Sequence, residues 1–118
     1  GVGYGINQHF EIFDALKMGT KKVMAVGGGT KNPTWLQAVS DISGKRQHVA
    51  QVETGAAYGD ALIAALATGC YRDSAQVQEH IKIQKTIEPD PKLYETYAPY
   101  RSRYNRLYLQ TKDIMSEY

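Results

Sequence analysis

A second cysteine is missing from this sequence: Cys70 stands alone, which excludes an internal disulfide and any multi-cysteine zinc site and fits a reducing cytosol. Long apolar runs are missing too. No stretch reaches membrane-spanning length, and the start lacks the basic-then-apolar pattern of a signal peptide, so a cytoplasmic protein with no membrane partner is expected. Nor is there a strong excess of one charge: the formal net charge is +2, which commits the chain to no polyanionic partner. Arg101, Arg103 and Arg106 cluster late in the chain, but acidic residues are spread throughout, so these arginines read as a solvated helix face and no nucleic-acid partner is expected. His9, His48 and His80 lack metal-ligand spacing, and Asp14, Asp41 and Asp60 fall on separate predicted helices with no partner suited to acid/base work, so no catalytic or metal residue is assigned.

What is present is an ordinary folded composition. Hydrophobic residues make up 42% and charged residues 22% of 118 residues, with no low-complexity tract, and this predicts one domain-sized unit with a real core. The opening Gly1-Val2-Gly3-Tyr4-Gly5-Ile6 resembles the middle of something rather than a natural beginning, which suggests a fragment. Ile6, Phe10, Phe13 and Leu16 recur at helical spacing and Gly19 supplies a stop, predicting a helix over 6–18. Val23-Met24-Ala25-Val26, closed by three glycines, reads as a buried strand of a parallel sheet. After the loop Gly27-Gly28-Gly29-Thr30-Lys31, Asn32 caps a helix with Pro33 at its first position, Trp35, Val39 and Ile42 form its apolar stripe, and Gly44 ends it.

A second strand is expected over 48–52, then a small-residue helix over 54–69 that Thr54 would cap and that would pack close to its neighbours through residues such as Gly59. Asp73 could cap a short helix ending at His80, and 81–87 reads as a third, peripheral strand. Glu88-Pro89-Asp90-Pro91 then breaks the pattern. A terminal helix carries Tyr97, Tyr100, Tyr104 and Leu107 or Tyr108 as core-facing residues, with Pro99 as a candidate kink. Strand, helix, strand, helix implies an α/β layer structure.

The sharpest local feature is the strand that runs into Gly27-Gly28-Gly29 and a capped helix, because glycine lets a ligand lie against bare backbone. A strand-to-helix turn that simply needs glycine would look the same. The spacing matches neither the dinucleotide fingerprint nor the phosphate-loop lysine motif. Gly1-Val2-Gly3-Tyr4-Gly5 has no strand before it and is set aside. Lys31 could approach a phosphate, although an exposed lysine is common in such loops.

Val26-Gly27-Gly28-Gly29-Thr30-Lys31-Asn32-Pro33-Thr34-Trp35-Leu36-Gln37, followed by Ser40-Asp41-Ile42-Ser43-Gly44, resembles the adenosine motif of FGGY carbohydrate kinases. Glu53-Thr54-Gly55-Ala56-Ala57-Tyr58-Gly59-Asp60-Ala61 resembles the small-residue helix of the same family and of other actin-like ATPases, with Asp60 in place of the alanine common there. The likeness extends through Glu88-Pro89-Asp90 and the tyrosine-rich helix, so it covers essentially the whole chain. It implies the actin-like ATPase (ribonuclease H-like) fold, with residues 1–118 as a C-terminal ATP-binding domain fragment whose N-terminal catalytic and sugar-binding domain is missing.

The parent protein would transfer the γ-phosphate of ATP, bound with Mg2+, to a sugar hydroxyl, such as that of the ketopentose xylulose. The fragment alone would be inactive, since the base and sugar-binding residues precede this region in the family. Carried over residue by residue, Gly27 permits the close turn, Gly28 lies against the nucleotide, Asn32 reaches the adenine edge or serves as helix cap, and Gly29 is counted with them as nucleotide-binding. ATP is the expected partner, the sugar is reached through the missing domain, and a homodimer is compatible with the sequence. Another actin-like ATPase, or a non-catalytic binding module with a vestigial glycine turn, remain alternatives.

Overall fold

The computed structural model describes residues 1–20, 22–52 and 55–117. Helix α1 spans Val2–Ala15, strand β1 Val23–Ala25, a 3-10 turn Gly28–Lys31, α2 Pro33–Ser43, β2 Gln47–Ala50, α3 Gly55–Ala67, α4 Ser74–His80, β3 Ile83–Ile87 and α5 Pro91–Met115. The three strands form one sheet in the order β1-β2-β3. β1 and β2 run parallel, with Met24 opposite His48, whereas β3 returns antiparallel, with Thr86 opposite His48 and a register irregularity between Val49 and Ala50. The α/β class and the peripheral third strand are as the sequence predicts. β1 itself is half-buried rather than buried, because it forms one edge of the sheet, and Val26 just beyond it is 61% exposed.

Helix α2 lies at the centre. Its start is set by Asn32, whose side chain accepts a hydrogen bond from the Trp35 amide, and by Pro33, whose missing N–H costs nothing in the first turn. Its end is set by Gly44, in the left-handed conformation at φ 67°. Between these ends Leu36, Val39 and Ile42 supply three of the five buried hydrophobic residues among those described, with Val49 and Leu62. The polar groups of this core are matched. Buried Gln47 donates from its Nε2 to the Leu36 carbonyl and to Ser40 Oγ, both at 2.8 Å, and buried Asp41 accepts from the Asp90 amide and from Gln37.

Several expectations need correction, each for a reason outside local sequence. Helix α1 starts four residues earlier than its apolar pattern, since the glycines that weaken an isolated helix here serve packing. A Cβ on Gly3 would lie 2.8 Å from Ile42 Cδ1, and Tyr4 stacks on Tyr104 at 5.6 Å and meets Tyr97 edge-on at 6.3 Å. The helix also stops before Gly19. Lys17 takes the left-handed conformation at φ 56°, its amide bonding the Asp14 carbonyl and the Met18 amide the Phe13 carbonyl, the paired bonds of a Schellman ending. Of the tyrosine stripe, Tyr97 and Tyr104 are half-buried, while Tyr100 and Tyr108 are largely exposed. Helix α5 runs through Pro99 as one element.

The small-residue helix is not tightly packed within this chain. Among the described residues nothing lies within 4 Å of a Cβ placed on Gly59, and α3 buries only Leu62. The predicted cap Thr54 lies outside the described residues. The core around α2 is small, and the radius of gyration is 17.2 Å, against about 13 Å for a compact domain of about this length.

Arg101 belongs to no solvated face. Its Nη1 donates to the Ile42 carbonyl at 3.1 Å and the Tyr94 carbonyl at 2.7 Å, and its guanidinium lies 3.9 Å from the centre of the Tyr94 ring. It therefore satisfies a carbonyl in the last turn of α2, where a cation is also favoured by the helix dipole. Arg101→Ala should lower stability by about 1.5 kcal/mol, the low end for hydrogen bonds from a charged donor, with a lower urea midpoint. An unchanged midpoint would mean that these bonds are not maintained in solution.

Burial raises the Tyr4 phenol above its ordinary value, Tyr97 and Tyr100 push the same way, and Arg101 partly opposes them. The folded chain then holds this proton more tightly than the unfolded chain. The contribution is fully present below about pH 10 and is lost as pH climbs through the raised folded value. Tyr4→Phe should flatten the alkaline fall in stability above about pH 10; parallel wild-type and variant curves there would reject this assignment.

Candidate functional site

The residues singled out in the sequence come together in one turn at the C-terminal end of β1. Gly27 sits at φ 88° and ψ −174°, a region of backbone space that only glycine enters without strain. Its carbonyl then accepts from both the amide of Thr30, at 3.1 Å, and the Thr30 hydroxyl, at 2.8 Å. Thr30 is buried, so this pair of hydrogen bonds to the Gly27 carbonyl closes the turn from inside. The Asn32 amide in turn bonds the Gly29 carbonyl at 3.1 Å, which passes the chain directly into α2.

The three glycines differ in what surrounds them. Among the described residues no atom lies within 4 Å of a Cβ placed on Gly27 or Gly28, so toward these residues the outer face of the turn is bare backbone. A Cβ on Gly29 would instead lie 3.0 Å from the Trp35 ring. Gly29 is a packing position. The fold thus explains Gly27 by conformation and Gly29 by contact, but gives no internal reason for glycine at Gly28.

Asn32 performs its cap through Oδ1, 3.0 Å from the Trp35 amide nitrogen. Its Nδ2 makes no hydrogen bond among the described residues and is exposed, so capping and ligand contact use different atoms of one side chain and do not compete. The first turn of α3 abuts the same place: a Cβ on Gly55 would lie 3.3 Å from Val26 Cβ and 3.7 Å from the Gly27 nitrogen. Lys31 is exposed at the end of the 3-10 turn. Beside the turn, Met24, Val26, Gly29, Thr30 and Trp35 border an apolar recess of about 380 Å³ between α1, β1 and α2.

Sequence reasoning missed Thr30 and Trp35 as parts of this site. The signal for Thr30 was available, since a threonine three residues after a carbonyl can bond back to it; contact of Trp35 with Gly29 could not be read from spacing. Among the described residues no group of three or more His, Cys, Asp and Glu side chains could hold a metal ion.

Gly27→Ala should cost about 1 to 3 kcal/mol through backbone strain, whereas Gly28→Ala should change stability by less than about 0.5 kcal/mol. Chemical denaturation of both variants checks this difference. Equal losses would mean that the fold, and not its free outer face, requires Gly28.

Comparison with known proteins gives the chain a family. The model of the FGGY family of carbohydrate kinases, C-terminal domain, matches residues 1–68. Xylulose kinase of Escherichia coli strain K12 is 27% identical over 98% of the chain, which spans 24% of that protein. Autoinducer-2 kinase of the same strain is 27% identical over 83% of the chain and 19% of its own length. The crystal structure of xylulose kinase from Rhodospirillum rubrum superposes with a TM-score of 0.77 at 22% identity, over 96% of this chain and 23% of that one. The chain therefore spans about a quarter of the length of the xylulose kinases it matches, and its fold is the actin-like ATPase fold of these sugar kinases. With the family model covering more than half of its residues, including the whole glycine turn, the chain belongs to the FGGY family of carbohydrate kinases, as part of the C-terminal domain.

Proposed function

We propose that residues 1–118 form the C-terminal, ATP-binding part of a cytoplasmic sugar kinase that passes the γ-phosphate of ATP to a hydroxyl of a ketopentose such as xylulose. The observation that carries this reading is the glycine turn: Gly27 holds a conformation open only to glycine, and no described residue comes within 4 Å of a Cβ placed on Gly27 or Gly28, which leaves room there for a ligand. Gly27 and Gly28 would present bare backbone to the nucleoside. Asn32 would hold the start of α2 with Oδ1 while Nδ2 donates to an acceptor on the adenine edge. The sugar site and the catalytic base would come from sequence outside these residues, and Mg2+ would accompany the phosphates of ATP without ligands from this turn. The ketopentose is favoured by the xylulose kinases among the relatives, which have the longer coverage of this chain.

The test is made in the whole gene product that carries this chain. Gly28→Val, which puts a branched side chain into the open face, should raise the apparent KM for ATP and weaken binding of a non-hydrolysable ATP analogue several-fold while leaving the sugar KM unchanged. Asn32→Ser keeps a capping oxygen but removes the amide donor, and should cost about 0.5 to 1.5 kcal/mol of analogue binding, a several-fold change. Isothermal titration separates these effects from turnover. If both variants bind the analogue like the wild type, the turn is structural. A phosphorylation panel should give xylulose the highest kcat/KM; a preference for an autoinducer-2 type substrate would overturn the ketopentose assignment and leave the nucleotide site standing.

A further inference from the structure

We infer that Trp35 is a positioning residue for the nucleotide turn: its indole backs Gly29 and holds the segment from Gly27 to Thr30 in the shape that receives adenosine. This rests on the nucleotide reading above and adds to it a residue that touches no ligand itself. Three observations carry it. The ring is against the turn, since a Cβ on Gly29 would lie 3.0 Å from Trp35 Cζ3 and 3.3 Å from Cε3, closer than ordinary van der Waals contact. The residue is fixed at its base, because its amide is held by Asn32 Oδ1 at 3.0 Å within the first turn of α2. Finally, burial in the core does not account for it. Trp35 stays 42% exposed while its neighbours Leu36 and Val39 are almost fully covered, so its packing is concentrated on the turn and on the recess that Gly29 and Thr30 also border.

The turn is then gripped from several sides. Thr30 bonds the Gly27 carbonyl from within, the Asn32 amide bonds the Gly29 carbonyl, and the indole blocks Gly29 from moving toward the recess. Without the ring, Gly29 faces empty space and the hydrogen bonds alone must keep the outer backbone in register with a ligand. A flat, rigid side chain suits this task because it adds a broad surface with only two rotatable bonds.

The experiment uses the whole gene product and a four-variant cycle. Trp35→Ala should raise the apparent KM for ATP on the order of tenfold, as expected for a displaced binding group, with kcat and the sugar KM little changed. Trp35→Phe, which keeps an aromatic face, should stay within about threefold of wild type. Gly29→Ala pushes on the ring from the other side and should raise the ATP KM in the wild-type background, yet add little in the Trp35→Ala background, where the space is vacant. Circular dichroism and denaturant midpoints monitor folding, and the difference in fluorescence between wild type and Trp35→Phe during titration with a non-hydrolysable ATP analogue reads the indole directly. A Trp35→Ala protein that binds the analogue like the wild type, or strictly additive effects of the two substitutions, overturns the positioning role alone. A wild-type protein that does not bind the analogue overturns the nucleotide reading itself.

Discussion

The hydrogen bonds that Gln47 sends from β2 into α2 are the joint on which the arrangement depends. A buried amide that failed to reach the Leu36 carbonyl and Ser40 Oγ would cost more than its bonds contribute, so the sheet and the helix have little freedom to slide against each other. With α2 fixed on β2, and β1 fixed beside β2 by the parallel ladder, the connection between β1 and α2 has both ends held. The glycine turn is that connection. Its geometry is thus imposed from outside as well as by its own bonds, which is what a preorganised binding surface requires.

The same helix is held at its far end by groups distant in sequence. Arg101 reaches the Ile42 carbonyl from α5, Tyr94 lies against Gly44, and Asp41 takes the amide of Asp90 where α5 begins. Helix α5 therefore acts as a brace behind α2. Lys45 and Asp14, 2.9 Å apart, tie the C-terminal part of α1 to the same region, although such a partly exposed pair contributes little by itself.

What was legible in the sequence was what short-range chemistry dictates. Asn32-Pro33 and Gly44 mark both ends of α2 and Asp73 marks the start of α4, each cap formed as its residue type predicts, whereas Asp90-Pro91, read only as a break, proves to cap α5. The glycine turn and Asn32 were found from their place between a strand and a helix. Contacts across the fold were not legible. Gly3 fell outside the predicted helix because its value lies in what it avoids, a clash with Ile42; Arg101 looked solvated because its acceptors lie on α2 and about two turns back on α5. The small residues of α3 suggested close packing, but composition cannot say against what, and within the described residues only Gly55 makes such an approach.

Helix α1 completes its packing against α5, and this has a cost in time. The amide of Gln8 bonds Asn105, 97 positions later, and Tyr4 stacks on Tyr104. Contacts so far apart close late, after the entropy of a long intervening loop has been overcome. On a ribosome adding roughly 5 to 20 residues per second, α1 waits on the order of 5 to 20 s for the partner that shelters its aromatic face. During that interval Tyr4 is offered to whatever else is in reach, so the nascent chain is more open to aggregation until α5 has emerged.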